Sequence, residues 1–326
     1  MKVWLIALIT SLITSLILGK LCIPLLRKIK AGQTVLKYVE SHKEKNGTPT
    51  MGGLFFIVSA SVVFILFGGA RARIGLISLS IGLAFMLVGF IDDFIKIKFK
   101  KNEGLKAYQK ILFQLAIALT AGVFAFRNGI TEFYLPFTFK KVDLGVWTIF
   151  IVAIIFIAVT NSVNLTDGLD GLAGSVSTIY LIGIAVLIIL QLGQSINNVE
   201  IYEKEQLVLL CACLIGAILG FLFFNVNKAK VFMGDTGSLS LGGFLGAISI
   251  FSANSFFMPI LGIMFVMSSI SVIIQVLHFK RTKKRVFLMS PLHHHFQLKG
   301  YTETQISYAY SLITVFMCLI SVVFLL

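Results

Sequence analysis

The stretch Val231-Phe-Met-Gly-Asp235-Thr-Gly-Ser-Leu-Ser-Leu-Gly-Gly243 sets one acidic residue between two glycines, directly before an apolar run. The run over 239–252 is too apolar for a surface loop, so Asp235 is predicted to lie where a membrane helix meets water. The glycines let backbone N–H groups approach a ligand closely, and Thr236 or Ser238 is expected to cap the helix, whose start favours an anion. A carboxylate beside an anion site indicates a cation between them, and Mg²⁺ prefers carboxylates together with substrate phosphates.

Composition assigns the chain to a membrane. It has 326 residues, 57% of them hydrophobic, and a mean hydropathy of +0.96. Soluble domains average ~45–50% apolar residues, so we expect an all-α polytopic membrane protein, with no domain boundary within 1–326. Because a spanning helix needs ~20 mostly apolar residues, about ten transmembrane helices are predicted, at 3–19, 53–69, 74–91, 109–126, 146–160, 174–192, 205–224, 239–252, 256–278 and 303–325. The loop 127–145 has alternating, aromatic character and is expected to form a small external hairpin.

The distribution of charge indicates the orientation. A net charge of +14 would also suit a nucleic-acid-binding protein, but the charges are concentrated on one side. With ten spans, the loops 20–50, 92–110, 161–173, 225–238 and 279–302 share a side and carry 21 of the 28 Lys and Arg residues. The positive-inside rule places these loops in the cytoplasm and both termini outside. The basic loops are expected to attract anionic membrane lipids and anionic substrates.

Two adjacent acids, Asp92 and Asp93, end the third predicted span. Acids at a membrane boundary are costly unless they are paired or bind a metal. On a helix, Asp92 and Lys96 are four residues apart and share a face. One acid is expected to lie near Mg²⁺ and the other to accept a proton from a phosphate or hydroxyl. Among the lysines that follow, Lys110 lies nearest the next span and is expected to face the site.

The first cytoplasmic loop ends in the segment 41–53, which contains Lys45 and Thr50. Its glycines and proline prevent a regular helix until about Leu54. A cation and a hydroxyl in such a loop suit a diphosphate or a nucleotide, although an ordinary basic turn before a span has the same composition.

The loop 161–173 contains neither Lys nor Arg, although it lies on the cationic side. Polar residues recur in it at every third position, as Asn161, Asn164, Asp167 and Asp170. This spacing is too tight for one face of an α-helix. The amides and acids are expected to line one wall of a pocket, where they could bind ribose, uracil or a metal.

Two further cytoplasmic features carry polar side chains. Asn225 follows the seventh span and is expected to orient a substrate phosphate or ribose. The last loop contains the consecutive histidines His293, His294 and His295. A zinc site is disfavoured because neither a cysteine nor a pair of carboxylates lies near them in the sequence. Contact with a phosphate or nucleotide is the preferred interpretation.

Five segments on the predicted cytoplasmic face together resemble the motifs of the polyprenyl-phosphate hexose-1-phosphate transferases. The segments are Gly47-Thr-Pro-Thr-Met-Gly-Gly53, Asp92-Asp93-Phe-Ile-Lys96, Asn161-Ser-Val-Asn164-Leu-Thr-Asp167-Gly-Leu-Asp170-Gly-Leu-Ala173, Val231-Phe-Met-Gly-Asp235-Thr-Gly-Ser-Leu239 and Pro291-Leu-His-His-His295-Phe296. The resemblance covers nearly the whole chain, and five motifs in order on one face are a specific signal. The histidine run indicates the muramoyl branch of the family.

The resemblance implies a reaction between UDP-N-acetylmuramoyl-pentapeptide and undecaprenyl phosphate, with Mg²⁺, in which UMP is released. It also implies a bacterial cytoplasmic membrane with the active site facing the cytoplasm. Catalytic or metal-site positions implied in this way are Asp92, Asp93, Asp235 and His293. Implied substrate-site positions are Lys45, Asn164, Asp167, Asp170 and Asn225, to which the residue patterns add Thr50, Lys96, Lys110, His294 and His295.

Two positions depart from the family pattern, Lys228 where proline is expected and Gln297 where glutamate is expected. Neither change removes a group that the chemistry requires. One alternative within the family is transfer of N-acetylglucosamine-1-phosphate. Another is an ion-coupled membrane transporter, but its acids would lie deep inside the spans, whereas here they cluster at one boundary. The oligomeric state is open, a homodimer included.

Overall fold

The computed structural model describes residues 2–29, 47–68, 72–99, 104–138, 140–193, 195, 197–226 and 228–323. The helices in this part of the chain are α1 (Lys2–Lys28), α2 (Gly53–Gly68), α3 (Arg73–Phe99), α4 (Ala107–Arg127), α5 (Thr148–Thr166), α6 (Leu172–Leu192), α7 (Asn198–Asn225), α8 (Gly234–Phe251), α9 (Met258–Leu261), α10 (Ile263–Thr282), α11 (Leu292–Leu298) and α12 (Glu303–Val323). Two short strands, β1 (Glu132–Tyr134) and β2 (Lys141–Asp143), pair antiparallel between α4 and α5.

The helices confirm an all-α polytopic membrane protein. Within the described residues, eight helices are long and apolar enough to cross a membrane, and α2 is a shorter apolar helix. Helix α8 covers the remaining predicted span, so each predicted span overlaps a helix. The span predicted over 256–278 is divided by Gly262 into α9 and α10.

One predicted boundary is wrong. Helix α5 continues to Thr166, so Asn161 and Asn164 lie on a helix and not in a loop over 161–173. The helix continues because its polar side chains find partners there. Asn161 Nδ2 donates hydrogen bonds to the carbonyl of Ile157, one turn earlier, at 2.8 Å, and to an amide on α4.

Helix α8 lies at the centre of the bundle. Every residue from Thr236 to Phe251 is buried, and α3 and α5 pack along the helix. At the start of α8, the backbone of Gly89 on α3 approaches the carbonyl of Asp235 so closely that a Cβ there would overlap it. This contact sets the acids of α3, one turn further along, beside the first turn of α8.

Helix α1 packs on α7 through small side chains. Ser11 and Ser15 are buried one turn apart, and their hydroxyls donate to the carbonyls of Cys213 and Ala217 at 2.7 and 2.8 Å. Small residues let membrane helices approach closely, and side-chain hydrogen bonds add to the packing.

The predicted hairpin is present at the end of the bundle away from Asp235. Phe133 of β1 pairs with Val142 of β2. The N–H of Tyr134 donates to the carbonyl of Ala253, just beyond the C-terminal end of α8, at 2.8 Å. The hairpin and the acidic motifs therefore lie at opposite ends of α8.

Candidate active site

Three carboxylates from two helices meet at one end of the bundle. Asp92 and Asp93 lie on α3 and are 1% and 0% exposed, and Asp235 lies in the first turn of α8. Each offers an oxygen, and these three oxygens lie within 4.8 Å of one another. Burying acids this close together is unfavourable unless cations neutralise them.

Two lysines provide the neutralising charge. Lys96 Nζ lies 2.6 Å from Asp92 Oδ2 and 3.1 Å from Asp235 Oδ2. Lys110 Nζ, from the first turn of α4, lies 2.6 Å from Asp235 Oδ2 and 3.3 Å from Asp92 Oδ1. Asp92 and Lys96 thus share a helix face, as their spacing predicts, and form an ion pair there, and Lys110 lies at the acids.

Asp93 also holds the beginning of α8. Its Oδ2 accepts hydrogen bonds from the backbone N–H and from the hydroxyl of Thr236, at 2.9 and 2.7 Å. A helix start leaves N–H groups open and favours negative charge, and here the cap comes from a neighbouring helix. The expected capping by Thr236 or Ser238 is wrong, since the hydroxyl of Ser238 donates to the carbonyl of Gly234 at 3.0 Å.

The segment 49–53 lies against the chain just before α8, with backbone hydrogen bonds to residues 232–233. Thr50 is buried, and its hydroxyl has no hydrogen-bond partner among the described residues. A side chain at Gly234 would overlap this hydroxyl, so Thr50 lies at the start of α8. Lys45, predicted to bind substrate, lies outside the described residues.

Asn164 and Asp167 approach the acids from α5. Asn164 Nδ2 donates to Asp235 Oδ1 at 2.7 Å and to Ser238 Oγ at 2.8 Å. Asp167 follows the last residue of α5. Burial, and then the charges of neighbouring aspartates, raise the pKa of Asp167 to about 8. The raised pKa favours the protonated form of Asp167, which can donate a hydrogen bond.

Asn225 and Asp170 connect two motif segments through the backbone. Asn225 Oδ1 accepts the N–H of Gly171 at 2.9 Å, and its Nδ2 donates to the carbonyl of Val231 at 2.9 Å. Asp170 Oδ2 accepts the N–H of Ala229 at 3.0 Å. The loop after α5 is thereby joined to the segment before α8. Because both ends of the Asn225 amide bond to backbone, its expected contact with a phosphate or ribose stays a prediction.

His293 is the buried member of the histidine run. It is 0% exposed, and neither ring nitrogen has a hydrogen-bond partner among the described residues. The ring packs on Gly168, where a Cβ would overlap Nε2, so it lies beside the loop that begins at Asp167. Burial, and then the neighbouring His294, lower the pKa of His293 to about 3. A neutral, buried imidazole is unfavourable without partners, which suits a ring whose hydrogen bonds a substrate completes.

The other two histidines are half-buried and bond within their own segment. His294 Nδ1 lies 2.7 Å from Gln297 Oε1. His295 Nδ1 accepts the N–H of Leu288 at 3.1 Å. Their expected contacts with substrate stay predictions.

Two polar residues near the site lie outside the motifs. Gln114, 0% exposed, accepts a hydrogen bond from Asn161 at 2.7 Å. It follows Lys110 by four residues on α4, and a second polar side chain on that face of an apolar span was the signal that could have identified it. Glu303 begins α12 and accepts the N–H of Asp170 at 3.0 Å. An acid in the first turn of a helix is common, so the sequence does not mark Glu303.

The acids fit a magnesium ion. Mg²⁺ prefers carboxylate oxygens and keeps positions for water and phosphate. Asp92, Asp93 and Asp235 supply one oxygen each, and the buried Asp93 Oδ1 has no hydrogen-bond partner among the described residues. These residues therefore have the donor atoms, the spacing and the unmet bonding capacity that a divalent cation requires.

Known proteins match the chain along nearly its whole length. Residues 74–253 match the model of glycosyl transferase family 4, and residues 45–57 match phospho-N-acetylmuramoyl-pentapeptide-transferase signature 1. The phospho-N-acetylmuramoyl-pentapeptide-transferase of Clostridium novyi (strain NT) is 41% identical over 323 residues, which are 98% of this chain and 96% of the relative. A relative of the same name from Clostridium botulinum (strain Alaska E43 / Type E3) is 40% identical over 315 residues, which are 96% of this chain and 94% of the relative. Another, from Desulforamulus reducens, is 43% identical over 312 residues, which are 93% of this chain and 90% of the relative.

The chain belongs to the phospho-N-acetylmuramoyl-pentapeptide-transferase family. The range that matches the signature spans Thr50, and the wider match spans the three clustered aspartates. Lys228, where the resemblance led us to expect proline, has a φ of +63°, which proline cannot adopt.

Proposed function

We propose that the protein transfers phospho-N-acetylmuramoyl-pentapeptide from its UDP-linked donor to undecaprenyl phosphate, which makes the first lipid-linked peptidoglycan precursor. The observation that carries this proposal is the meeting of Asp92, Asp93 and Asp235 with Lys96 and Lys110 at one end of a membrane bundle. Phosphoryl transfer requires mainly positioning and charge neutralisation from a protein, and this cluster offers both.

Asp93 and Asp235 would hold Mg²⁺, which when bound would neutralise charge on the diphosphate. Lys96 and Lys110 lie within 3.3 Å of carboxylate oxygens of Asp92 and Asp235. Because each ammonium has further hydrogens to donate, we assign both lysines to the phosphate oxygens of the two substrates. The cluster thus favours binding of highly anionic reactants beside buried acids.

Asp92 is the acid that we assign to the proton of the lipid phosphate. Asp93 Oδ2 already accepts two hydrogen bonds from Thr236, which ties that carboxylate to the start of α8. The deprotonated oxygen of the lipid phosphate bonds to the sugar-linked phosphorus of the donor. The bond from that phosphorus to the bridging oxygen breaks, and UMP leaves with the electron pair.

Donor recognition belongs to the loop after α5 and to α11. Asp167, whose pKa is raised, has a hydrogen to donate in its protonated form, and the ring of His293 has two nitrogens without partners among the described residues. Both are suited to hydrogen bonds with the uridine, sugar or diphosphate of the donor. Asp170 and Asn225 hold the same loop in place through backbone contacts.

The membrane and orientation follow from charge and substrate. We place the protein in the bacterial cytoplasmic membrane, with the acid cluster facing the cytoplasm. In the sequence, the loops that carry the acidic motifs share a side with most of the lysine and arginine residues. Loops rich in these residues are found on the cytoplasmic side of a membrane. A lipid phosphate acceptor explains why the acids lie where spans end, since only its head group must reach water.

A comparison of donors tests the proposal. Purified protein in detergent is incubated with Mg²⁺ and undecaprenyl phosphate, and UMP release is measured with UDP-N-acetylmuramoyl-pentapeptide or with UDP-N-acetylglucosamine. Of the two donors, only UDP-N-acetylmuramoyl-pentapeptide should give UMP. It should do so only when undecaprenyl phosphate is present. Release from UDP-N-acetylglucosamine alone would contradict the proposed substrate.

A further inference from the structure

The loop 167–171 is held from outside the motifs. The backbone N–H of Asp170 donates to Glu303 Oε2 at 3.0 Å, while Asp170 Oδ2 accepts the N–H of Ala229 at 3.0 Å. Asp170 is 9% exposed, so its N–H has little access to water. A nearly buried N–H needs an acceptor, and Glu303 at the start of α12 supplies it.

The second oxygen of Glu303 connects to the histidine segment. Gln297 Nε2, on α11, donates to Glu303 Oε1 at 3.5 Å, and Gln297 Oε1 lies 2.7 Å from His294 Nδ1. Gln297 therefore spans the distance between the acid and a histidine. A glutamate at 297 would bring a second negative charge to Glu303 and no hydrogen to donate.

We propose that Glu303 is a positioning residue that fixes the loop 167–171 relative to α11. The two segments are in contact, because His293 of α11 packs on Gly168. Glu303 binds both segments through one carboxylate, and so it sets the position of Asp167 with respect to His293. The consequence for substrate rests on the function proposed above: loss of Glu303 weakens donor binding more than it slows the transfer step.

A control variant can distinguish this positioning role of Glu303 from a general effect on the stability of α12. Gln305 lies two residues further on, and its Oε1 accepts the N–H of Thr302 at 3.0 Å, which caps the same helix start. Replacement of Gln305 by alanine removes a helix cap but leaves the bonds of Glu303 to the loop and to α11. Gln305→Ala is thus a control matched in position and in effect on the helix.

Kinetics give the first test. UMP release is measured over a range of donor concentrations for wild type, Glu303→Ala, Glu303→Gln and Gln305→Ala. We expect Glu303→Ala to raise the donor KM at least ~10-fold, the size expected for a charged acceptor lost from a buried N–H, with kcat changed less than ~3-fold. Glu303→Gln should recover part of the effect, since its carbonyl still accepts the N–H of Asp170. An unchanged donor KM in Glu303→Ala, or the same rise in Gln305→Ala, would overturn the proposal.

Hydrogen exchange gives a second test that does not depend on turnover. Peptides covering 167–171 should exchange faster in Glu303→Ala than in wild type or Gln305→Ala, because the N–H of Asp170 has lost its acceptor. Equal exchange in all three proteins would overturn the connection itself. If peptides 167–171 exchange faster only in Glu303→Ala, but wild type releases no UMP from any donor, the proposed transferase function fails while the connection stands. If Glu303→Ala does not fold, Gln297→Met replaces it: this variant removes the bond of α11 to Glu303 together with the bond to His294. It should raise the donor KM, and an unchanged donor KM would overturn the connection to α11.

Discussion

Asp93 and Thr236, 143 residues apart in sequence, are joined by two hydrogen bonds between helices α3 and α8. The carboxylate of Asp93 accepts both the N–H and the hydroxyl of Thr236, at the point where Asp235 enters the site. Asp93 thus contributes to the acid cluster and also sets the position of the helix that carries its third member. The two contributions can be separated by substitution.

We expect Asp93→Asn to keep the fold and lose the activity. The amide oxygen still accepts the N–H of Thr236, so stability should stay within ~1 kcal/mol of wild type, whereas turnover should fall at least ~100-fold with the lost charge. Asp93→Ala should in addition lose the cap, and Thr236→Val should lose only the hydroxyl bond and keep most of the activity. Thermal unfolding in detergent without Mg²⁺, together with UMP release, checks this. Full activity in Asp93→Asn would show that the charge of Asp93 is not required for the transfer.

Lys110→Met should tighten metal binding while it slows the reaction. Lys110 Nζ lies 2.6 Å from Asp235 Oδ2, where it competes with a cation for the same oxygen. Loss of the Lys110 ammonium leaves more negative charge on the carboxylates to attract Mg²⁺. The same loss removes a cation that would contact the substrate phosphates. Binding of Mn²⁺, followed by electron paramagnetic resonance, should tighten several-fold as UMP release falls.

Lys98→Met is the matched control for that experiment. Lys98 lies on α3 with its ammonium over the rings of Phe94 and Phe99, at 5.9 and 5.8 Å from the ring centroids. Metal binding and turnover should both stay near the wild-type values. Weaker metal binding in Lys110→Met would contradict the proposed competition.

The stability of the protein should depend on pH through Asp167. The folded-state pKa of Asp167, about 8, lies above the ordinary value for aspartate of ~3.9. The folded protein therefore keeps a proton that the unfolded chain releases. The stability from this proton is complete below about pH 4 and is lost as the pH rises through about 8.

Asp167→Asn provides the comparison for this pH dependence, because its neutral amide does not titrate. Melting temperatures are measured without metal from about pH 5 to about pH 9. Wild type should lose stability relative to Asp167→Asn as the pH rises. A constant difference between the two proteins would contradict the raised pKa.

Gly168→Ala should disable donor binding through His293. A Cβ at position 168 would overlap the Nε2 of His293, so the ring must move. We expect UMP release at a fixed donor concentration to fall at least ~10-fold, as misplacement of a substrate-positioning group does. Gly193→Ala is the control, since a Cβ at Gly193 meets nothing within 4 Å. Normal activity in Gly168→Ala would show that the position of the His293 ring does not matter for donor binding.

Spacing along a single helix could be predicted from the sequence. Asp92 and Lys96 are four residues apart, share a helix face as expected, and form an ion pair at 2.6 Å. The apolar runs likewise located the helices, because each span must bury its own backbone hydrogen bonds in the membrane. These features depend on local geometry, which residue order determines directly.

Contacts between distant segments were less accessible. Spacing suggested a loop for Asn164, but a partner on α8 lets its side chain reach Asp235 from a helix. No local pattern shows that Asp93, and not Thr236 or Ser238, caps α8, since the cap comes from another helix. The resemblance implies a substrate-site role for Asn225, but only the fold shows that its amide bonds to backbone at both ends.

The central claim is that the acid cluster performs the transfer, and Asp235→Asn tests it most directly. The substitution preserves size and one acceptor, but it removes the charge that Lys96 and Lys110 neutralise. UMP release from UDP-N-acetylmuramoyl-pentapeptide is measured with undecaprenyl phosphate and saturating Mg²⁺, on protein with a wild-type melting temperature. We predict a fall of at least ~100-fold, and turnover within a few-fold of wild type would contradict the account.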